Sequence, residues 1–319
     1  MASDNRSYSD GFWWSNDGLR LHFRDYPAAP EHADRPPIIC IPGLTRNARD
    51  FEKVAERLAG QWRVICVDLR GRGDSAYAKD PMSYVPLTYV QDMEALLREQ
   101  AIDRFVAFGT SLGGLITMLL ASTRPGRVVG ALLNDVGPQL EPEGLARIRD
   151  YVGQGRSFPT WMHAARALSE AQGAVFPGHG VSEWLDLAKK TMKIGPGGRI
   201  VYDYDMKIAE PFAVPGGEAG VDLWPALGGL ATAQVLIVRG ALSDVFAEAT
   251  AERMLAMLPH GALLTVANKG HAPSLEEPEV AQAIDRMLAQ VDTGGDCGVG
   301  TAALAELVRR RLRPRPEQL

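Results

Sequence analysis

The chain has 319 residues, of which 46% are hydrophobic and 23% are charged. This composition is typical of a globular protein and excludes disordered, collagen-like and coiled-coil chains. With 34 basic and 39 acidic residues, the net charge is −5, which does not favour binding to nucleic acid or to an anionic membrane. No apolar stretch approaches the roughly 18 residues of a membrane-spanning helix, and residues 1–10 lack the pattern of a signal peptide, so we expect a cytoplasmic protein.

The first predicted element is a β-hairpin, followed by an alternation of strands and helices. The hairpin strands, Gly11–Trp14 and Leu19–Phe23, flank a turn that contains the pair Asp17-Gly18, which suits a tight hairpin turn. Short apolar runs then alternate with segments of helical spacing, which predicts an α/β fold with a mostly parallel, doubly wound sheet. The predicted strands are Ile38–Ile41, Arg63–Val67, Phe105–Phe108 and Val128–Leu133, and the predicted helices are Ala48–Ala59, Leu87–Gln100 and Leu112–Ser122.

The alternation stops after Asn134. Helical stretches separated by Gly/Pro clusters follow, without a strong strand run, which predicts a helical insertion. The sheet resumes with the apolar runs Gln234–Arg239 and Ala262–Val266. We therefore predict a core in two parts, an insertion between them, and a tail, for which we favour a solvated or frayed terminus and keep a basic helix at Ala302–Leu312 as the alternative. The predicted bounds are 1–137 for the first part of the core, 138–229 for the insertion, 230–292 for the second part and 293–319 for the tail.

The strongest local signal for chemistry is the pentapeptide Gly109-Thr-Ser111-Leu-Gly113. It lies between a predicted strand and a predicted helix, which is the context of a nucleophile elbow. The glycines permit a sharp turn in which side chains at their positions would collide. Ser111 would then present its hydroxyl at a helix N-terminus, where negative charge is favoured.

A serine nucleophile needs a base and a group that orients the base. Of the six histidines, His271 is the predicted base, because it follows the last predicted strand at the sheet edge where ligands collect. Two acids follow strands at the same edge, Asp244 and Asp135, and the order nucleophile, acid, histidine fits either. We favour Asp244, which follows the strand immediately before the His271 strand, and keep Asp135 as the alternative.

Acyl transfer also needs donors for the developing oxyanion. The backbone N–H of Leu112, directly after the nucleophile, is the first predicted donor. The second is expected from Pro42-Gly43-Leu44, which follows the strand Ile38–Ile41, and Leu44 is the predicted donor.

Five motifs together resemble the α/β-hydrolase fold superfamily in its Ser-nucleophile, carboxylesterase- or lactonase-like form. They are Ile41-Pro-Gly-Leu44, Asp68-Leu-Arg-Gly-Arg-Gly-Asp-Ser75, Gly109-Thr-Ser-Leu-Gly113, the Asp244 loop and Gly270-His271. The resemblance covers residues 11–290 and implies a triad of Ser111, His271 and Asp244, with Leu44 and Leu112 as oxyanion donors. It also implies that the insertion is a helical cap over the active site. Pro42 stands where many relatives carry His, but a backbone donor is unaffected by that difference.

The Ser nucleophile predicts a carboxylesterase acting on small or medium-sized esters. A lactonase or a hydrolase of carbon–carbon bonds in ring-fission products remains an alternative, as do a cofactor-free perhydrolase and a non-catalytic receptor on the same fold. The cap residues Trp161, Met162 and Trp184 are candidates for an apolar substrate pocket. No pattern calls for a metal or an organic cofactor. The expected partner is a small-molecule ester or lactone, and the sequence does not fix the oligomeric state.

Overall fold

The computed structural model describes residues 7–213 and 222–293. Eight of its strands form one sheet in the order β1-β2-β4-β3-β5-β6-β10-β11, antiparallel at β1 and β2 and parallel from β4 onward. This sheet confirms the predicted α/β fold class. The strands of the described residues are β1 Ser9–Trp14, β2 Arg20–Tyr26, β3 Ile38–Ile41, β4 Val64–Asp68, β5 Phe105–Thr110, β6 Val128–Asn134, β7 Ser157–Phe158, β8 Met192–Ile194, β9 Ile200–Tyr202, β10 Gln234–Gly240 and β11 Gly261–Val266.

Helices cover both faces of the sheet, as expected where central strands carry continuous apolar runs. Strands β3 and β4 are buried at every position. Two separate apolar clusters lie on the two faces, one containing Leu112 and Ile116 and the other Phe51 and Ile284. The helices are α1 Glu52–Leu58, α2 Pro86–Glu99, α3 Leu112–Thr123, α4 Pro142–Tyr151, α5 Trp161–Gln172, α6 Val181–Thr191, α7 Trp224–Leu227, α8 Glu248–Met257 and α9 Pro278–Asp292.

The insertion between β6 and β10 contains α4, α5 and α6, but it also contains a small sheet that the sequence pattern did not predict. Strands β7, β9 and β8 pair antiparallel in that order. They are only two or three residues long, too short for an alternating pattern to stand out. A third apolar cluster, which includes Phe158, Trp184 and Ile200, packs this segment. We call the described insertion residues, 138–213 and 222–229, the cap; the predicted domain bounds remain a prediction.

The remaining elements follow the sequence closely. The predicted hairpin is β1 and β2, with Gly18 at a positive φ of 81° in the turn. The predicted helix at 48–59 begins as a short 3-10 turn, Ala48–Phe51, before α1. The predicted tail, with the alternative of a basic helix at 302–312, lies outside the described residues apart from residue 293. Within the described ranges, no helix is both long and apolar enough to cross a membrane.

Candidate active site

The turn from β5 into α3 has the geometry that the Gly109–Gly113 motif requires. Ser111 lies between strand and helix with φ 51° and ψ −115°, a strained conformation for a residue with a side chain. A Cβ on Gly109 would lie 2.5 Å from the carbonyl group of Gly113, and a Cβ on Gly113 would overlap the carbonyl oxygen of Ile41. Glycine is therefore required at both positions by close backbone packing, as predicted.

The hydroxyl of Ser111 contacts the imidazole of His271, with 2.9 Å between Oγ and Nε2. On the other side of the ring, Nδ1 lies 2.7 Å from Oδ2 of Asp135, which is fully buried. Because an ionised carboxylate only accepts hydrogen bonds, Nδ1 carries the ring proton and Nε2 accepts from the serine hydroxyl. The three side chains are thus connected in the order hydroxyl, imidazole and carboxylate, which is the arrangement that a serine nucleophile, its base and an orienting acid require.

Asp135 has two further donors. The backbone N–H of Gly240 donates to Oδ1 at 2.7 Å, and the hydroxyl of Ser243 donates to Oδ2 at 2.5 Å. The Ser243 oxygen in turn accepts the N–H of Phe246 at 3.1 Å, which leaves its proton for the carboxylate. Asp135 itself has a positive φ of 54°. Its orientation is therefore fixed by the loop after β10 as well as by His271.

The structure corrects the choice of Asp244 as the acid. Asp244 binds Arg147 of α4 through two hydrogen bonds of 2.5 and 2.8 Å. Burial works against its ionisation, but the Arg147 guanidinium outweighs this effect and lowers the pKa of Asp244. Asp135, the alternative from the sequence, is the carboxylate that contacts His271. Asp244 therefore connects the cap to the core.

Strand order explains why the sequence favoured the wrong loop. Strand β6 lies between β5 and β10, so the residue after β6 lies between the loops that carry Ser111 and Ser243. The His271 loop bends back over the end of β6, where Asn134 Nδ2 donates to the Pro273 carbonyl at 2.9 Å. The sequence shows that β10 and β11 are consecutive strands, but it does not show that the loop after β11 bends toward β6.

The two predicted oxyanion donors lie on either side of Ser111. Leu112 follows it directly as the first residue of α3, and Gly43 of the Leu44 loop packs beside it, since a Cβ on Gly43 would lie 3.7 Å from the Ser111 Cβ. Within residues 7–213 and 222–293, neither the Leu44 nor the Leu112 N–H donates a hydrogen bond. Their role as donors remains a prediction.

A cavity of about 600 Å³ lies between the core and the cap, next to Ser111 and His271. Its volume is within the usual range for small-molecule sites. The cap contributes both apolar and polar side chains to its wall, among them Tyr151, Leu168, Phe176, His179 and Tyr202.

The predicted pocket residues lie elsewhere, which corrects that part of the sequence analysis. Trp184 is buried in the apolar cluster of the cap, where its ring lies 6.4 Å from that of Phe176. Trp161 packs against the same cluster. Met162 is 53% exposed. None of these three lines the cavity. Helical spacing alone does not distinguish the side chains that pack the cap from those that face the core.

Two other histidines have carboxylate or basic neighbours. Burial, followed by the nearby Lys269, lowers the pKa of His179 in the cavity wall. His22 forms a group with Asp68 and Asp74 whose potential metal-ligand atoms lie within 4.8 Å of one another. Its two ring nitrogens already contact Asp68 and Asp10, at 2.7 and 3.0 Å. This group therefore connects the hairpin to the loop after β4.

Comparison with known proteins agrees with the fold. The model of the Alpha/beta hydrolase family matches residues 38–283. The chain belongs to this family. It is 36% identical over 267 residues to the 3-hydroxybutyrate-oligomer hydrolase of Cupriavidus necator, which covers 81% of this chain and 90% of that relative. The crystal structure of an alpha/beta hydrolase from Novosphingobium aromaticivorans is 57% identical and matches with a TM-score of 0.85, over 89% of this chain and 98% of that one.

Other similar proteins match smaller parts of the chain. Lipase LipV of Mycobacterium tuberculosis is 31% identical over 156 residues, which is 48% of this chain and 54% of that relative. The similar proteins are thus named as hydrolases and lipases. Their names differ in substrate, so family membership fixes the fold but leaves the substrate open.

Proposed function

We propose that this alpha/beta hydrolase cleaves carboxylic esters of small to medium size through an acyl-enzyme on Ser111. The observation that carries the proposal is the hydrogen-bonded chain from Ser111 through His271 to Asp135, with contacts of 2.9 and 2.7 Å. A serine hydroxyl is a weak nucleophile, and this chain supplies the base and the orienting acid that it needs.

The first half of the reaction forms the acyl-enzyme. His271 Nε2 takes the hydroxyl proton while Ser111 Oγ attacks the ester carbonyl, and Asp135 stabilises the imidazolium through Nδ1–H. The N–H groups of Leu44 and Leu112 bind the oxyanion. When the tetrahedral intermediate collapses, the C–O bond of the ester breaks and His271 gives its proton to the leaving alcohol.

The second half returns the enzyme to its starting state. A water molecule gives a proton to His271 and attacks the acyl carbonyl, and the same two N–H groups bind the new oxyanion. The bond to Ser111 then breaks, the serine regains its proton from His271, and the carboxylic acid leaves. A lactone would follow the same steps, with its own chain as the leaving alcohol.

An oligoester of 3-hydroxy acids is the substrate class we propose to test first. The relative that shares 36% identity over most of both chains is named as a 3-hydroxybutyrate-oligomer hydrolase. A cavity of about 600 Å³ with both polar and apolar walls suits an ester chain rich in oxygen. Lactonase and carbon–carbon hydrolase activities remain the alternatives.

The test compares the wild type with Ser111→Ala on p-nitrophenyl esters from acetate to decanoate, and then on 3-hydroxybutyrate dimer and trimer. We expect turnover with a maximum at one acyl length and a loss of roughly a millionfold in kcat in the variant. A fluorophosphonate should label Ser111 in the wild type, and the label is located by mass spectrometry. Turnover that survives in Ser111→Ala would contradict the proposal, and turnover of lactones alone would move it to the lactonase alternative.

A further inference from the structure

Arg72 is a fully buried arginine whose side chain reaches the loop of the predicted oxyanion donor. Its Nε donates to the backbone carbonyl of Leu44 at 2.9 Å, and its Nη1 donates to the carbonyl of Arg70 at 2.6 Å. The guanidinium carbon lies 4.9 Å from the centre of the Tyr89 ring and 5.6 Å from that of Tyr84. Arg72 is therefore fixed by aromatic rings on one side and directed at the Leu44 loop on the other.

This arrangement differs from that of Arg70, which is also buried. Arg70 forms hydrogen bonds to the carboxylates of Asp92 and Asp17, so its charge is paired. The hydrogen bonds of Arg72 within the described residues go to backbone carbonyls, and its Nη2 has no partner there. Burying a charge without a hydrogen-bonded carboxylate lowers the stability of the fold. The position of Arg72 beside the Leu44 loop therefore comes at a cost in folding free energy.

The contact fixes the peptide groups around Leu44. The carbonyl of Gly43 accepts the N–H of Arg46 at 3.1 Å, and the carbonyl of Leu44 accepts from Arg72. In a planar trans peptide, the Leu44 N–H points opposite to the Gly43 carbonyl. With both carbonyls bound, the peptide groups before and after Leu44 are held in place, and with them the direction of the Leu44 N–H. The preceding residue, Gly43, packs beside Ser111.

We propose that Arg72 is a positioning residue that orients the Leu44 N–H toward the oxyanion. This role rests on the proposed function, because it needs an oxyanion to form at Ser111. Oxyanion donors act through an orientation that exists before the reaction, and the contact of Arg72 with the Leu44 carbonyl is present without substrate. Arg72 acts through Leu44 and does not touch the substrate.

The test uses Arg72→Met, which removes the donors but keeps a long side chain, and Arg72→Lys, which keeps the charge and a single donating nitrogen. We measure kcat and KM on p-nitrophenyl butyrate, with kcat expressed per active site as counted by titration with a fluorophosphonate. We also measure the inhibition constant of an alkyl trifluoromethyl ketone. In Arg72→Met we expect kcat to fall by about 10- to 100-fold, less than the roughly 100- to 1000-fold for loss of a donor. KM should stay within about twofold of the wild-type value.

The trifluoromethyl ketone tests the oxyanion directly, because it forms a tetrahedral adduct with the serine. Its inhibition constant should rise in Arg72→Met by the same factor by which kcat falls. Arg72→Lys should regain part of both losses. Should Arg72→Met fail to fold, Arg72→Lys alone is still expected to lose kcat and inhibitor affinity together, with KM unchanged.

Arg127 provides a control at a distance from Ser111. It is a buried arginine that donates to the backbone carbonyl of Ile102 and lies 5.9 Å from the Phe105 ring, but it also pairs with Glu94 and precedes β6 at the opposite end of the sheet. Arg127→Met should lower stability and leave kcat per titrated site within about twofold. An equal loss of kcat in both Met variants would overturn the role of Arg72.

The two proposals fail in different ways. A wild type in which Ser111 is not labelled would overturn the proposed function and the role of Arg72 with it. A labelled, active wild type together with a folded Arg72→Met that keeps its kcat and its inhibitor affinity would overturn the role of Arg72 alone.

Discussion

The carboxylate of Asp135 is surrounded by donors that suit a charged partner of an imidazole. His271 and Ser243 both bind Oδ2, and the Gly240 N–H binds Oδ1. Asp244 has a different partner, the guanidinium of Arg147. Two acids that are equivalent in sequence order thus have distinct environments, which makes their substitution by asparagine a direct test of the triad.

We predict that Asp135→Asn lowers kcat by about 10⁴-fold on a p-nitrophenyl ester, because an amide at this position favours the wrong tautomer of His271. KM should change little, since Asp135 is buried behind the imidazole and away from the cavity. Steady-state kinetics on the two purified variants, Asp135→Asn and Asp244→Asn, measure this difference.

Asp244→Asn is the matched variant. It keeps the shape of the side chain and removes the charge that pairs with Arg147, so we expect a small loss of stability and a kcat within a few-fold of the wild-type value. A larger loss of kcat in Asp244→Asn than in Asp135→Asn would contradict the assignment of Asp135.

Single residues were predictable where the signal is local. Ser111 follows from a strand, a tight turn and a helix that adjoin in the chain, and His271 from its position after the last strand. The choice between Asp135 and Asp244 depends on which loops meet in space. The cavity wall depends in the same way on how the cap lies on the core, so that Trp184 is in the cap cluster and Tyr202 lines the cavity.

The elements at the start of the chain are joined by a buried histidine. His22 of β2 contacts Asp68 at the end of β4 through Nδ1 and Asp10 of β1 through Nε2. Asp68 also accepts the N–H of Ala48, the first residue of the turn before α1. The hairpin, the central sheet and the segment after the Leu44 loop are thus connected through two side chains.

We predict that the contribution of His22 to stability declines as the pH rises. Burial works against its protonation, but Asp68 and then Asp10 outweigh this effect and raise the pKa of His22 above 6.5. A group whose pKa is higher in the folded than in the unfolded state stabilises the fold fully below the unfolded value, and this stabilisation is lost as the pH passes the raised value. The loss in free energy of unfolding caused by His22→Gln should therefore be largest at pH 6 and smaller at pH 9, by urea denaturation.

His260→Gln is the control for this pH dependence. His260 is exposed directly before β11, so its replacement should change the free energy of unfolding little at either pH. A His22→Gln effect that stays constant from pH 6 to pH 9 would show that the imidazole contributes through packing and not through its charge.

Most elements with long apolar patterns were predictable to within one or two residues, whereas the alternating strand β2 continues three residues beyond its predicted end, to Tyr26. Strand β3 has the predicted bounds, and α3 begins at the predicted residue. The strands of the cap were missed, because β8 and β9 gain their pairing from each other across a turn at Gly195–Arg199 and carry only three residues each. Such strands depend on tertiary context more than on sequence pattern.

On the scale of the whole molecule, the cap is held on the core by polar contacts beside the cavity. The N–H of Gly270, next to His271, donates to the carbonyl of Val175 in the cap at 2.7 Å. Glu276 after the His271 loop pairs with Lys190 of α6. Arg49 makes three of these contacts: its guanidinium donates to the carbonyls of Lys190 and Met192 and to the carboxylate of Asp203.

We predict that Arg49→Met loosens the cap and weakens substrate binding. Hydrogen bonds that involve a charged group contribute about 1.5–3 kcal/mol each, so amide hydrogen exchange in residues 190–203 should speed up by about 10-fold or more. Thr191 and Tyr202 line the cavity, so KM for a p-nitrophenyl ester should rise by about 3- to 10-fold, with a smaller change in kcat. Exchange in β5 should not change, because that strand lies in the core of the sheet.

Arg57→Met separates this effect from the general loss of an arginine. Arg57 belongs to α1, close to Arg49 in the chain, but it pairs with Asp285 of α9 at the surface and makes this contact outside the cap. Its replacement should leave both the exchange of residues 190–203 and KM at the wild-type values. If the two variants affected KM equally, the contacts of Arg49 would not be what holds the cap over Ser111, and the Gly270–Val175 and Lys190–Glu276 contacts would have to carry that role.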